Sequence, residues 1–157
     1  MQKPNKYVSK TQAIEKLRAY CAYQERCHIE VRNKLLELGI YGDDLEEIII
    51  VLIEEGFLNE ERFAINYARG KFRLKKWGKI RIKQELKLRK ISDYCIKKAM
   101  TEIEDYDYEA TLQMLILKEK EKFQEMDNDF LIKSKIAAHF TRKGFENDLI
   151  WRFLNES

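Results

Sequence analysis

Between Arg69 and Lys90 the sequence RGKFRLKKWGKIRIKQELKLRK sets eleven cations against a single acid, Glu85. That segment carries +10, while the rest of the 157-residue chain holds 19 Lys and Arg against 26 Asp and Glu, or −7. The chemistry on offer is not bond-making. It is the capture of something negative by a local positive field on an acidic body.

Helical spacing orders this charge. In a helix beginning after Asn59, Arg62, Arg69, Arg73 and Lys76 fall along one line, opposite Phe63, Ala64, Tyr67, Ala68 and Phe72. A break follows at Lys76-Trp77-Gly78. In the next helix Lys79, Lys83, Lys87 and Lys90 recur at i, i+4, i+8 and i+11, while Ile82 and Leu86 point elsewhere. These two stripes, with Arg81, are the candidate partner-binding residues. Charge runs are often plain solvated faces, but two stripes of one sign with almost no acids between them argue against that here.

The other reactive residues assemble no site. The sequence has no phosphate-cradling glycine loop, no H-E-x-x-H and no cysteine cluster. His28 and His139 read as ordinary surface or packing histidines. Asp43-Asp44 suggests a metal-binding carboxylate pair, yet a helix N-cap accounts for both. Trp77 fits either stacking on a base or a wedge between two structural units. Cys21, Cys27 and Cys95 are odd in number and show no C-x-x-C spacing, so three free thiols in a reducing cytosol are expected. The expectation is a protein with no catalytic residues, no metal and no cofactor.

The elements that must position the basic stripes are helices. An apolar share of 45% supports a core, and one proline with six glycines leaves little room for a sandwich of many turns. The N-terminal MQKPNKYVSK lacks the apolar core of a signal peptide, and no run approaches a membrane span of about 20 apolar residues. A cytoplasmic chain is expected. Ser9 and Gln12 form a capping box before a first helix bearing Ala13, Ile14, Leu17, Tyr20 and Cys21 on one face. A second helix runs from Ile29 to Leu38 and stops at Gly39, and a third opens at Asp43 and ends at Gly56-Phe57. The β-branched run Ile48 to Ile53 reads as a strand in isolation; its acidic start and glycine stop favour a helix.

The pattern then recurs. Aligned on Gly39-Ile40, Lys90-Ile91 and Gly144-Phe145, the chain places Leu35, Leu86 and Phe140 five residues before the apolar member. Val31, Ile82 and Ile136 stand nine before it, and Leu45, Ile96 and Ile150 five after it. Ile48, Ala99 and Phe153 follow at eight, then Ile49, Met100 and Leu154 at nine. The fold class is therefore all-α, a tandem repeat of three three-helix units forming an elongated, curved body. The expected division is a basic leader over 1–10, an acidic unit over 11–58, a basic unit over 59–106 and a third unit over 107–157. In the second unit a helix is expected from Ser92 to about Glu104. In the third, helices are expected from Asp107 to Lys122, Asp129 to Lys143 and Asn147 onward, with Ser92 and Asn147 as N-caps.

From about Ala13 to Leu154 the chain resembles the RecX-type regulatory proteins that modulate RecA recombinase. The residues that carry the likeness are Glu30 to Gly39, then Leu52-Ile53-Glu54-Glu55-Gly56-Phe57-Leu58-Asn59-Glu60-Glu61-Arg62-Phe63-Ala64, then Lys76 to Leu86, and last Phe140-Thr141-Arg142-Lys143-Gly144-Phe145. Two positions depart from the family pattern. Cys27 replaces a serine cap, which would leave Glu30 without its reciprocal partner. Lys90 replaces a glycine, which would alter the second unit's turn. The repeat architecture is expected to be a monomer, and the resemblance implies a cytoplasmic, non-enzymatic protein of stacked three-helix units. It would bind the RecA nucleoprotein filament in its groove and inhibit or modulate the recombinase in DNA repair and the SOS response.

A competing reading is a nucleic-acid-binding helical module that contacts phosphates directly. A site-specific reader would want Asn, Gln and Arg at the start of a recognition helix. The stripe here is lysine, suited to position rather than sequence, and the acidic first unit would repel naked duplex. An enzyme such as a nuclease finds no assembled carboxylate or metal motif.

Overall fold

The computed structural model describes residues 8–125 and 127–156. Most of the expected leader, residues 1–7, lies outside the described residues, as does Met126 in the polar link from Lys122 to Asn128. Among the described residues there are nine α-helices and no strand. They are α1 (Lys10–Tyr23), α2 (His28–Glu37), α3 (Gly42–Glu54), α4 (Glu60–Lys75), α5 (Lys79–Leu88), α6 (Asp93–Thr101), α7 (Asp105–Lys120), α8 (Asp129–Lys143) and α9 (Asn147–Glu156). A 3-10 turn over Glu121–Phe123 extends α7.

Helices pack chiefly in consecutive triplets: α1 to α3, α4 to α6, and α7 to α9. The result is a helical repeat body. Its frame is set by one turn used three times. The N–H of Ile40 donates to the Leu35 carbonyl at 2.9 Å, that of Ile91 to Leu86 at 3.1 Å, and that of Phe145 to Phe140 at 3.0 Å. The residue before each donates three back, Gly39 to Leu36, Lys90 to Lys87 and Gly144 to Thr141. These paired bonds satisfy carbonyls that a helix end leaves open, the Schellman arrangement. The same joint then buries the apolar frame. Val31, Leu35, Ile82, Leu86 and Ile136 are fully buried, and Phe140 is all but so. Of the fifteen aligned positions only Met100 is part-exposed.

Several local expectations need correction. Helix α3 begins at Gly42 with Tyr41 as N-cap, so Asp43 and Asp44 are first-turn acids rather than caps. They still favour the helix by facing the positive end of its dipole. Asn147 is the first residue of α9, and the Ile150 amide bonds the Glu146 carbonyl, which puts Glu146 at the cap position. Helix α7 starts two residues earlier than expected, at Asp105, and α6 is shorter, ending at Thr101. Glu30 does find its reciprocal partner: the Cys27 amide donates to Glu30 Oε1 at 3.0 Å, a bond that needs no side chain at Cys27. Lys90 does not alter its turn, because its backbone takes the left-handed conformation (φ +62°) that glycine takes at Gly39 and Gly144.

Two apolar cores result. One, from Ala13 to Leu58, belongs to α1–α3; the other is continuous through α4–α9 and also takes in Cys27. The second and third triplets are joined at backbone level. The Gly78 amide donates to the Lys143 carbonyl at 2.8 Å, and the Ile80 amide to the Gly144 carbonyl at 2.9 Å. The amide of Lys79 donates to the Tyr108 hydroxyl at 2.9 Å, which in turn donates to Glu146 Oε1 at 2.6 Å. Burial, then that carboxylate, push the Tyr108 phenol far above its ordinary pKa and keep it a donor. The start of α5 is thus fixed to the end of α8 and to α7.

Candidate interaction surface

The basic stripes lie on α4 and α5, which meet at the turn Lys76-Trp77-Gly78. The helix ends at Lys76 in a left-handed conformation (φ +58°), and the Trp77 amide closes it on the Lys71 carbonyl at 3.1 Å. Asn59 caps the start of α4 by accepting from the Arg62 amide at 2.9 Å. Phe63, Ala64, Ala68 and Phe72 are buried, so the opposite face of α4 is held outward.

The nine candidate residues separate into three groups. Arg62, Arg69 and Lys79 are engaged within the fold. Arg62 Nε lies 2.6 Å from Glu25 Oε2 and its guanidinium also donates to the Gly56 carbonyl at 2.9 Å. Arg69 pairs with Glu102 at 2.6 Å. Lys79 Nζ stands 3.5 Å from Asp105 and 4.8 Å from the centre of the Tyr108 ring, with its side chain only 17% exposed. Arg81 is part-buried with its guanidinium 4.1 Å over the Trp77 ring. Arg73, Lys76, Lys83, Lys87 and Lys90 are exposed and have no carboxylate partner among the described residues. The stripe is therefore shorter as a surface than as a sequence pattern. Its free part runs over the end of α4 and the outer face of α5.

Two features escape a reading of charge alone. The first is a row of alternating cations and rings. Arg89 lies 4.8 Å from the Tyr67 centroid, Lys71 lies 5.3 Å from Tyr67 and 4.9 Å from Trp77, and Arg81 lies over Trp77. Such contacts hold long side chains in place at roughly 0.5–1 kcal/mol each on an exposed surface. Trp77 is part-buried against the larger core, so it serves as both wedge and platform. The spacing of Tyr67, Lys71 and Trp77 was a signal for this row. The second is apolar: Leu74 and Leu88, next in sequence to Arg73 and Lys87, stand 82% and 71% exposed. The two helices thus expose aliphatic side chains as well as charge.

The acidic first triplet contrasts with this. Arg18 pairs with Glu55 and Glu15, Arg32 with Glu46 through two nitrogens, and Lys10 with Glu47 and Asp44. Its cations are largely consumed by its own carboxylates. Among the described residues no group of His, Cys, Asp or Glu side chains is arranged to hold a metal ion. None of their helices is long and apolar enough to cross a membrane. The three cysteines are buried and unpaired. His28 is part-buried at the start of α2, and His139 packs edge-on against Phe140.

Residues 59–100, which hold the whole surface, match the family described as RecX, second three-helix domain. The chain is 29% identical over 140 residues to the Regulatory protein RecX of Bacillus cereus (strain AH820), covering 88% of this chain and 51% of that protein. The RecX of Bacillus anthracis (strain A0248) matches to the same extent. The chain thus spans about half the length of the curated relatives it matches. The crystal structure of RecX from Lactobacillus salivarius superposes with a TM-score of 0.85 at 26% identity, over 94% of this chain and 95% of that one. A second crystal structure of regulatory protein RecX shares the fold, with a TM-score of 0.81 at 20% identity over 94% and 72% of the two chains. These matches establish the likeness to RecX-type regulatory proteins and extend it to a fold shared along nearly the whole chain.

Proposed function

We propose that this chain binds the RecA nucleoprotein filament and restrains recombinase activity, as a non-enzymatic cytoplasmic regulator in DNA repair and the SOS response. The observation that carries this reading is the concentration of unpaired cations on α4 and α5. Arg73, Lys76, Lys83, Lys87 and Lys90 remain exposed and unpaired, whereas carboxylates of the first triplet pair with most of its cations. A filament presents acidic protein surface and phosphate together, and both answer to such a face. Leu74 and Leu88 supply aliphatic contacts that a bare phosphate backbone cannot use.

The test is the double variant Lys83→Glu with Lys87→Glu, assayed for inhibition of RecA-driven strand exchange and for filament binding. Loss of inhibition with an unchanged melting curve is expected. Full inhibition by a folded double variant sinks the assignment. The second reading, direct binding to phosphates, draws support from the cation and ring row at Tyr67 and Trp77. Binding to bare DNA as tight as to the filament, at matched length and salt, would favour it instead.

A further inference from the structure

Helix α7 is apolar on two sides. Tyr108, Leu112 and Ile116 face the core and are buried. On the other side Tyr106, Ala110, Met114 and Leu117 form a second stripe at helical spacing. Tyr106 is 82% exposed, Met114 60% and Leu117 52%, and Ala110 is exposed as well. An amphipathic helix on the outside of a folded body has a polar outer face; this one sets an apolar stripe among its exposed polar residues. Scattered surface apolar residues call for no explanation, but four in register along one helix form a contiguous patch.

The flank of that stripe carries the second observation. Asp107 lies near its N-terminal end and Lys118 near its C-terminal end, both exposed, and neither has an ion-pair partner among the described residues. At 100° per residue the two project on the same edge of the stripe. A two-fold axis across the middle of α7, near Leu112, sets a second α7 antiparallel on the first and keeps like edges together. Asp107 then meets Lys118 of the second copy, and Lys118 meets Asp107. The same operation sets small Ala110 against large Met114 and brings Tyr106 beside Leu117. The stripe is complementary to itself in size and in charge. A parallel pairing would bring opposite edges and equal ends together and lose both matches.

We infer that α7 is the interface of a two-fold, antiparallel dimer of this chain, in place of the monomer expected from the sequence. The face lies on the third triplet, apart from the cations of α4 and α5, so the inference stands independently of the proposed function. One helix pair falls at the small end of specific interfaces, under roughly 1,200 Å² in total, so association is weak and concentration-dependent.

Sedimentation equilibrium over a wide concentration range tests this. The average mass should climb from 18.9 kDa toward twice that value. Met114→Glu should weaken association roughly tenfold or more by placing charge at the centre of the contact. Asp107→Lys and Lys118→Asp should each weaken it by roughly 3- to 10-fold, since symmetry doubles a modest exposed pair. The combined charge exchange should restore it, which a merely damaged surface would not do. All three substituted positions are exposed, and circular dichroism verifies the fold of each variant. A chain that stays monomeric to millimolar concentration overturns the inference, as does association indifferent to Met114→Glu. A charge exchange no better than its single variants overturns the antiparallel arrangement.

Discussion

A Cβ placed on Gly78 would stand 2.3 Å from the carbonyl carbon and oxygen of Gly144. On the other side of the joint, a Cβ on Gly144 would meet the Cβ of Arg81 at 2.3 Å and its amide nitrogen at 2.6 Å. The start of α5 and the end of α8 cross where Gly78 and Gly144 leave room for backbone to meet backbone. That closeness is what lets the amides of Gly78 and Ile80 reach carbonyls of the third triplet.

Gly78→Ala should therefore destabilise by about 2–3 kcal/mol or more, because the clash is with backbone that cannot swing away. Gly70 provides the control. It lies inside α4 with nothing within 4 Å of an added Cβ, so Gly70→Ala should stabilise by about 0.5–1 kcal/mol through helix propensity. Denaturant melts of the two variants read out opposite signs. Equal effects would mean that the joint is looser than the geometry says.

Why the frame was legible in sequence and this joint was not follows from their physics. Leu35, Leu86 and Phe140 repeat at fixed offsets because each closes the same turn in its own triplet, so local spacing carries the signal. Gly78 and Gly144 meet across two triplets, and a glycine pair leaves no side-chain pattern to align. The surface behaves likewise. The +10 segment was visible as charge, but Arg62, Arg69 and Lys79 are engaged by Glu25, Glu102 and Asp105, acids 26 to 37 positions away in the chain. Which cations remain free is a tertiary fact. The apolar outer stripe of α7 was hidden for another reason: apolar residues on both sides leave no single face to read.

Lys90 occupies a left-handed conformation where its counterparts are Gly39 and Gly144. The turn keeps its bonds at a conformational cost of about 1–2 kcal/mol. Lys90→Gly should recover part of that, about 1 kcal/mol net of the greater freedom of glycine in the unfolded chain. A rise in melting temperature checks it; a fall would mean that the Lys90 side chain stabilises the fold in some other way.

His28 provides a pH signature. Burial lowers its pKa below the ordinary 6.5, opposed by the charge of Glu60. The folded state then binds fewer protons than the unfolded one below that value, so stability rises with pH there. The contribution is present above the unfolded pKa and is lost as pH falls through the folded one. Denaturation midpoints should drop on acidification below the ordinary histidine range, and His28→Gln should flatten that part of the profile. An identical profile for the variant would assign the loss to other groups.

Lys79 and Lys83 are one helical turn apart on α5, yet they should answer to different assays. Lys79 is held by Asp105 and lies over the Tyr108 ring at the joint, whereas Lys83 is exposed and unpaired. Lys79→Glu should set two carboxylates together, lose the ring contact and cost about 1–2 kcal/mol of stability. Lys83→Glu should change stability by no more than about 0.5 kcal/mol, as for other exposed positions. Binding should show the reverse. Where the partner's phosphates are the contact, loss of Lys83 should flatten the log–log salt dependence of binding by about 0.9. Lys79 variants that still fold should keep the slope of the unaltered chain. Equal salt slopes for the two variants, or equal melting curves, would erase the distinction between the cation that ties α5 to the fold and the cation presented to a partner.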